Sequence, residues 1–188
     1  MSPVTHFLAS WVIASFPKLE RRDVALVTFA GVAPDLDGLG AIPELLTRRS
    51  DHPLDWFSRY HHLLAHNLAF AMLVAVAVFL FSKRNWLSAG LSLVAVHLHF
   101  LMDIAGSRGP EGYVWSIPYL APFSDKLQLA WSRQWALNSW QNVVITCALL
   151  AATMVRATQT GRSPVEIFSP AADQRVVTAL RQRLLKTV

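Results

Sequence analysis

The fold class predicted here is all-α: a helical membrane protein with about four to five apolar helices, a long structured loop and a basic C-terminal helix. Three observations predict it. Hydrophobic residues make up 53% of the 188-residue chain against 15% charged, with seven tryptophans, more apolar than a soluble domain of this size tolerates. The apolar residues gather in runs longer than a strand, separated by short polar or basic stretches, which is helical spacing for lipid contact. The single cysteine, Cys147, lies inside such a run, so neither a disulfide framework nor a cysteine metal site supports the fold.

The elements follow in order. Ser2 is a suitable N-cap and Pro3 a suitable first helical residue, which predicts a helix over Pro3–Phe16 that carries His6 and stops at Pro17. After the basic loop Lys18-Leu19-Glu20-Arg21-Arg22, a second apolar segment runs from Asp23 to Ala33 into Pro34-Asp35-Leu36-Asp37-Gly38. That turn offers two carboxylates on one side. Residues 38–59 are polar and irregular, and a loop or short surface helix is expected there.

Tyr60-His61-His62-Leu63-Leu64-Ala65-His66-Asn67 stands before the most hydrophobic run, Leu63–Phe81, which is of spanning length. In a helix His62 and His66 share a face, and His61 lies about 100° round from His62. His61 and His66 reach one ligand only from the first turn or from a loop–helix junction. Pro53, just upstream, places a junction there. Trp86–Asp103 is the next apolar helix, with His99 and Asp103 on one face and His97 about 200° away from His99. Ala105–Asn138 lacks a helical period and has Trp115, Pro118, Pro122 and Trp131, a structured loop suited to a membrane interface. Ser139–Val155 is the last apolar helix. Beyond it Val176, Val177, Leu180, Leu184 and Leu185 give the tail an amphipathic, basic helix. Two regions are expected, a membrane-embedded domain over 1–155 and a basic cytoplasmic tail over 156–188.

Charge supports one topology. If the apolar segments cross or partly cross the bilayer in alternation, one side receives Lys18, Arg21, Arg22, Lys83, Arg84, Arg156, Arg162, Arg175, Arg181, Arg183 and Lys186, eleven of the seventeen Lys and Arg. An excess of Lys and Arg marks the cytoplasmic side. Arg48, Arg49, Arg59, Arg108, Lys126 and Arg133 fall opposite, and so do His6, Asp35, Asp37, His61, His62, His66, His99 and Asp103. The first two segments are short for full spans, so they are tilted, re-entrant or packed inside the bundle. The net charge of +5 is strung through loops and tail without aromatic stacking platforms, which argues against nucleic acid as a partner. The start, Met1-Ser2-Pro3-Val4-Thr5-His6, has no basic region of the kind that opens a cleaved signal peptide.

Histidine nitrogen with carboxylate oxygen is the donor set of catalytic zinc, manganese or iron sites. Charged groups this deep in an apolar chain need partners or a metal. Singly, each residue has a plainer reading: His6 as an interfacial residue, His97 as a satisfied core histidine, His52 as a loop residue, Asp103 as a helix cap or a partner of Arg108. It is the gathering at the ends of four segments that points to a site.

Thr5-His6, then Pro34-Asp35-Leu36-Asp37, then His61-x4-His66 entering an apolar helix, then His99-x3-Asp103, Gly106 and Pro122-Phe123-Ser124 occur in this order. Over about residues 1–155 the chain resembles the bacterial family of membrane-bound, metal-dependent hydrolase-like proteins, associated with the inner membrane and in some members LexA-regulated. The resemblance implies a multi-pass inner-membrane protein and a metal-dependent hydrolase acting on an ester or phosphoester, with a small-molecule or lipid-linked substrate. It implies a divalent metal, zinc first, with manganese or iron as other fits. His6, His61, His66 and His99 are then nitrogen ligands, with Asp35 and Asp103 as carboxylate ligands or bridges. Asp37 and Asp35 are the catalytic carboxylates, Asp37 as general base or as the group that orients a histidine. The family has Arg after the first histidine of the helix-entry motif and Ser after the second, where this chain has His62 and Asn67. The family's Arg is then replaced, if at all, by Arg59 or Arg108. The rival readings are a non-catalytic metal-binding membrane protein and an ion- or proton-coupled transporter.

Overall fold

The computed structural model describes residues 1–109 and 112–184, with Ser58 by its backbone alone. Leu185 and Lys186 of the basic tail lie outside the described residues. The fold is all-α, with a helical bundle and one two-stranded hairpin.

Helix α1 (Pro3–Ala14) begins where Ser2 accepts a hydrogen bond from the Thr5 amide at 3.3 Å. Helix α2 (Arg21–Ala30) runs back along it and gives way to a 3₁₀ segment, Ala33–Gly40, and to the short α3 (Ala41–Thr47), bent by 48° from α2. The polar stretch before the histidines thus holds two short helices, α3 and α4 (Trp56–Tyr60). Helix α5 is Leu68–Phe81 and α6 is Asn85–Gly106. A long connection with the strands β1 (Ile117–Pro118) and β2 (Gln128–Leu129) leads to α7 (Trp140–Thr160) and α8 (Pro170–Leu184).

Helix α5 is shorter than the apolar run it belongs to. The run is helical only from Leu68, because Asn67 caps the helix by accepting from the Phe70 amide at 2.9 Å, a role Asn fills well. Fourteen residues span about 21 Å, short of the hydrocarbon core. Helices α6 and α7, at 22 and 21 residues, are long and apolar enough to cross. Their exposed residues Val94, Leu101, Trp140, Val143, Val144 and Leu150 have lipid as their natural solvent.

Helix α1 packs on α2, α6 and α7, and α6 packs on α2 and α5. Small residues make this close packing possible: Ala71 and Ala75 on α5, Ser88, Ser92 and Ala95 on α6 are all buried. Gly31 is the tightest point, because a Cβ there would meet Ser10 Oγ at 1.8 Å and Ala95 Cβ at 3.2 Å. One core cluster gathers around Trp11, Val24, Val27 and Ala95, and a second around Val96, Phe100, Ala71 and Ile117.

Two buried amides fix the α6–α7 connection. Gln134 donates to the Asp103 carbonyl at 2.9 Å and accepts from the Trp115 amide. Asn142 donates to the Gly106 and Leu137 carbonyls at 2.8 and 2.7 Å and accepts from the Trp135 indole. The tail docks back on α7: Arg181 donates to the Thr158 carbonyl, and Asp173 accepts from the Ser163 amide and hydroxyl.

Candidate metal centre

One turn into α1, His6 faces the last turns of α6, where His99 and Asp103 share a face. The 3₁₀ segment supplies Asp35 and Asp37, and the turn between α4 and α5 supplies His61, His62 and His66. The structure brings six of these side chains into two overlapping sets with Asp103 in common. His6, Asp35, His99 and Asp103 form one, and His62, His66 and Asp103 the other, with the donor atoms in each set within 4.8 Å of one another. His66, His99 and Asp103 are 0%, 1% and 2% exposed.

The geometry is tightest among three atoms. His66 Nε2 lies 3.1 Å from His99 Nε2 and 3.4 Å from Asp103 Oδ2, and His99 Nε2 lies 3.1 Å from Asp103 Oδ2. Two nitrogen or oxygen ligands of one tetrahedral zinc, each at about 2.0–2.1 Å, stand about 3.3 Å apart. The triangle therefore has the dimensions of one face of such a coordination shell. His6 Nε2 is 3.2 Å from Asp103 Oδ1, Asp35 Oδ1 is 3.8 Å from His99 Nε2, and His62 Nε2 is 3.9 Å from Asp103 Oδ2.

Tautomers strengthen the fit. His99 Nδ1 lies 2.8 Å from the Gly31 carbonyl, which only accepts, so Nδ1 carries the proton and Nε2 presents a lone pair. His66 Nδ1 donates to Asp37 Oδ2 at 3.0 Å, which leaves its Nε2 a lone pair as well. Two lone pairs and a carboxylate oxygen thus face one another in a buried space, an arrangement a cation stabilises. His6 Nδ1, Asp35 Oδ2 and His62 Nδ1 are buried with no hydrogen-bond partner among the described residues. Burial, then the neighbouring His66 and His61, push His62 down to about 2, so its ring stays neutral and able to ligate. The Met1 ammonium also lies against Asp103 Oδ1, and Ser107 Oγ donates to the same oxygen at 2.8 Å.

Asp37 has no oxygen to spare. Oδ1 accepts from His61 Nδ1 at 2.8 Å, and Oδ2 accepts from His66 Nδ1 and from the His62 and Ala65 amides at 3.0–3.2 Å. One carboxylate organises the whole 61–66 turn. His61 belongs to neither set; it stacks on Phe57 with centroids 4.5 Å apart and stands at the mouth of the site. His62, which the sequence put on one face with His66 but left out of the ligand set, does belong to one, and its backbone is left-handed at φ 67°. The signal that could have found it was the i, i+4 spacing of His62 and His66, and Asn67, as a cap, starts the helix only at Leu68. His97 is bound elsewhere, donating from Nδ1 to the Leu93 carbonyl at 2.8 Å and accepting at Nε2 from Tyr119 Oη at 2.9 Å.

Above the cluster opens a cleft of about 940 Å³, with Asp35, His62 and Asp103 in its floor and Phe57, Trp115 and Leu137 in its walls. Arg108 lines it too. Its Nη2 donates to the Ser132 carbonyl at 2.6 Å, and its Nε is buried with no partner among the described residues.

Bilayer-length apolar helices packed around a buried His/Asp cluster define a class: helical membrane proteins with a site competent to hold a metal ion. The family model described as YdjM inner membrane protein matches residues 1–177, and the chain belongs to that family of inner membrane proteins. The match continues past Val155 into α8. Neither the curated proteins nor the solved structures gave a match to this chain.

Proposed function

We propose that this protein is a membrane-bound, metal-dependent hydrolase that cleaves an ester or phosphoester in an amphipathic, lipid-linked substrate. The observation that carries the reading is the triangle of His66 Nε2, His99 Nε2 and Asp103 Oδ2 beneath a large cleft with apolar walls. A divalent ion held there, zinc by its preference for this donor set, with manganese and iron compatible, supplies Lewis-acid polarisation and a bound water of lowered pKa.

The chain's own residues then divide the remaining tasks. His6 and His62 complete the nitrogen donors, and Asp103 turns one oxygen toward His6 and the other toward His66 and His99. Asp37, with both oxygens engaged, holds the His61 and His66 rings in place. Asp35 is the carboxylate left to take a proton from the attacking water, because its Oδ2 has no partner among the described residues and the residue lines the cleft. Arg108, its Nε unpaired at the cleft wall, is the group placed to hold a substrate phosphate. Phe57, Trp115 and Leu137 accommodate the apolar part of the substrate.

The same reading places the site on the non-cytoplasmic face and the tail in the cytoplasm, supported by the eleven basic residues on the other side. The test is elemental analysis of the full chain purified in detergent, beside turnover on a panel of phosphodiesters, phosphomonoesters and carboxylic esters. Bound metal with turnover lost in Asp35→Asn is the expected result. Stoichiometric metal with no turnover on any member of the panel favours a non-catalytic metal-binding protein. A reporter fused after Val188 checks the orientation and should read as cytoplasmic.

A further inference from the structure

The end of the bundle away from the His/Asp cluster carries a second polar pocket, of about 430 Å³. Asp103 stands nineteen residues along α6 from Arg84, so the two sites are about 28 Å apart along the axis. Four cationic side chains from four places in the chain line this pocket: Lys18 from the α1–α2 loop, Arg84 from the α5–α6 turn, Arg156 from α7 and Arg162 from the turn after it.

We infer that this pocket binds the phosphate headgroup of an anionic membrane phospholipid. Two of the cations are held in fixed positions. Arg156 lies 4.4 Å over the Phe16 ring and donates to the Ser15 carbonyl at 2.7 Å, and Arg162 donates to the Leu19 carbonyl at 2.7 Å and to Glu166. The other two, Lys18 and Arg84, have no side-chain partner among the described residues. Both carboxylates of the lining are already taken, Glu20 by the exposed Lys83 and Glu166 by Arg162. Bundle packing accounts for the two fixed arginines, but leaves the exposed Lys18 and Arg84 lining the same pocket. Like charges gathered this way repel unless an anion joins them.

The place of the pocket selects the anion's source. It opens between α1, α2 and α7 at the ends of the helices, beside the exposed ring of Phe16, where a bilayer around α6 and α7 would put its headgroups. Basic pockets between membrane helices are suited to such headgroups. The proposal rests on no part of the metal-site reading.

Native mass spectrometry of the full chain in detergent, titrated with phosphatidylglycerol or phosphatidylcholine, tests it. Wild type should retain phosphatidylglycerol and not phosphatidylcholine. Lys18→Gln with Arg84→Gln should weaken that retention by roughly thirtyfold, two basic contacts at an anionic lipid surface. The melting temperature and metal content of the double variant should stay at wild-type values, and Arg175→Gln on the exposed face of α8 should change nothing. Equal retention of both lipids, or unchanged phosphatidylglycerol binding in the double variant, overturns the inference. Displacement of the lipid by excess inorganic phosphate overturns it too, and assigns the pocket to a soluble anion.

Discussion

Asp23 and Asp103 are both buried carboxylates, at 0% and 2% exposed, and they have opposite company. Asp23 on α2 accepts from the Lys83 amide through one oxygen and from the Arg84 amide through the other, each at 2.9 Å, and so joins the α5–α6 turn to α2. Asp103 on α6 turns Oδ2 toward the lone pairs of His66 and His99, with no donor on that side. Burial is common to the two. What separates Asp23 from the Oδ2 side of Asp103 is whether the neighbours donate or accept: donors complete a fold, whereas an oxygen that faces only acceptors is a site for a cation.

Exchanging each carboxylate for its amide breaks this comparison most forcefully. Asp103→Asn should lower metal affinity by more than about a hundredfold, beyond the loss expected for a supporting group, and should not lower the melting temperature of the metal-free protein. Asp23→Asn should do the reverse. It leaves a buried amide N–H facing another donor, at a cost of about 1–3 kcal/mol, and keeps its metal. Thermal unfolding beside elemental analysis reads both.

Asp37 sharpens the contrast from within the site, since it is satisfied by donors and yet serves the acceptors. Asp37→Asn should weaken metal binding about ten- to a hundredfold, because an amide cannot accept from both histidines. A metal competition titration measures it. Unchanged affinity would mean that the 61–66 turn holds its shape without Asp37.

A smaller effect follows from His62. Its folded pKa lies below the unfolded value of about 6.5, so above that pH the ring is neutral in both states and costs nothing. As pH falls below it, the unfolded chain takes up a proton that the buried ring refuses, and the metal-free protein loses stability. Denaturation of the chelated protein at pH 7.5 and 5.5 should show the loss, and His62→Gln should reduce it.

The smallest effect belongs to the histidines outside the cluster. His97→Ala removes bonds to the Leu93 carbonyl and Tyr119, worth about 1 kcal/mol, and should leave metal content at wild type. His52→Ala, on an exposed loop, should leave both unchanged.

Much of the architecture was legible because lipid imposes it. Runs of apolar residues, Ser2 before Pro3 and the alternation of basic loops are local signals, and the helical class follows from them. The start of α5 was not read, since hydrophobicity continues unbroken through Leu63 and Leu64 while the helix begins only after Asn67. His62 was passed over for a different reason, since the family resemblance carries His61 and His66, and its left-handed backbone leaves no trace in local periodicity. The roles of Gly31 and Gln134 were equally silent. A carbonyl that fixes the His99 tautomer and an amide that holds the loop to the Asp103 carbonyl are long-range contacts, with no trace in local sequence.

The most direct measurement of the central claim is X-ray absorption at the metal edge of the full chain in detergent, wild type beside His99→Ala. A wild-type shell of nitrogen and oxygen at about 2.0–2.1 Å with imidazole scattering, and loss of the ion in His99→Ala, is the result predicted. A stoichiometric ion that survives His99→Ala with its imidazole shell unchanged, or wild-type protein that takes up no divalent ion, contradicts it.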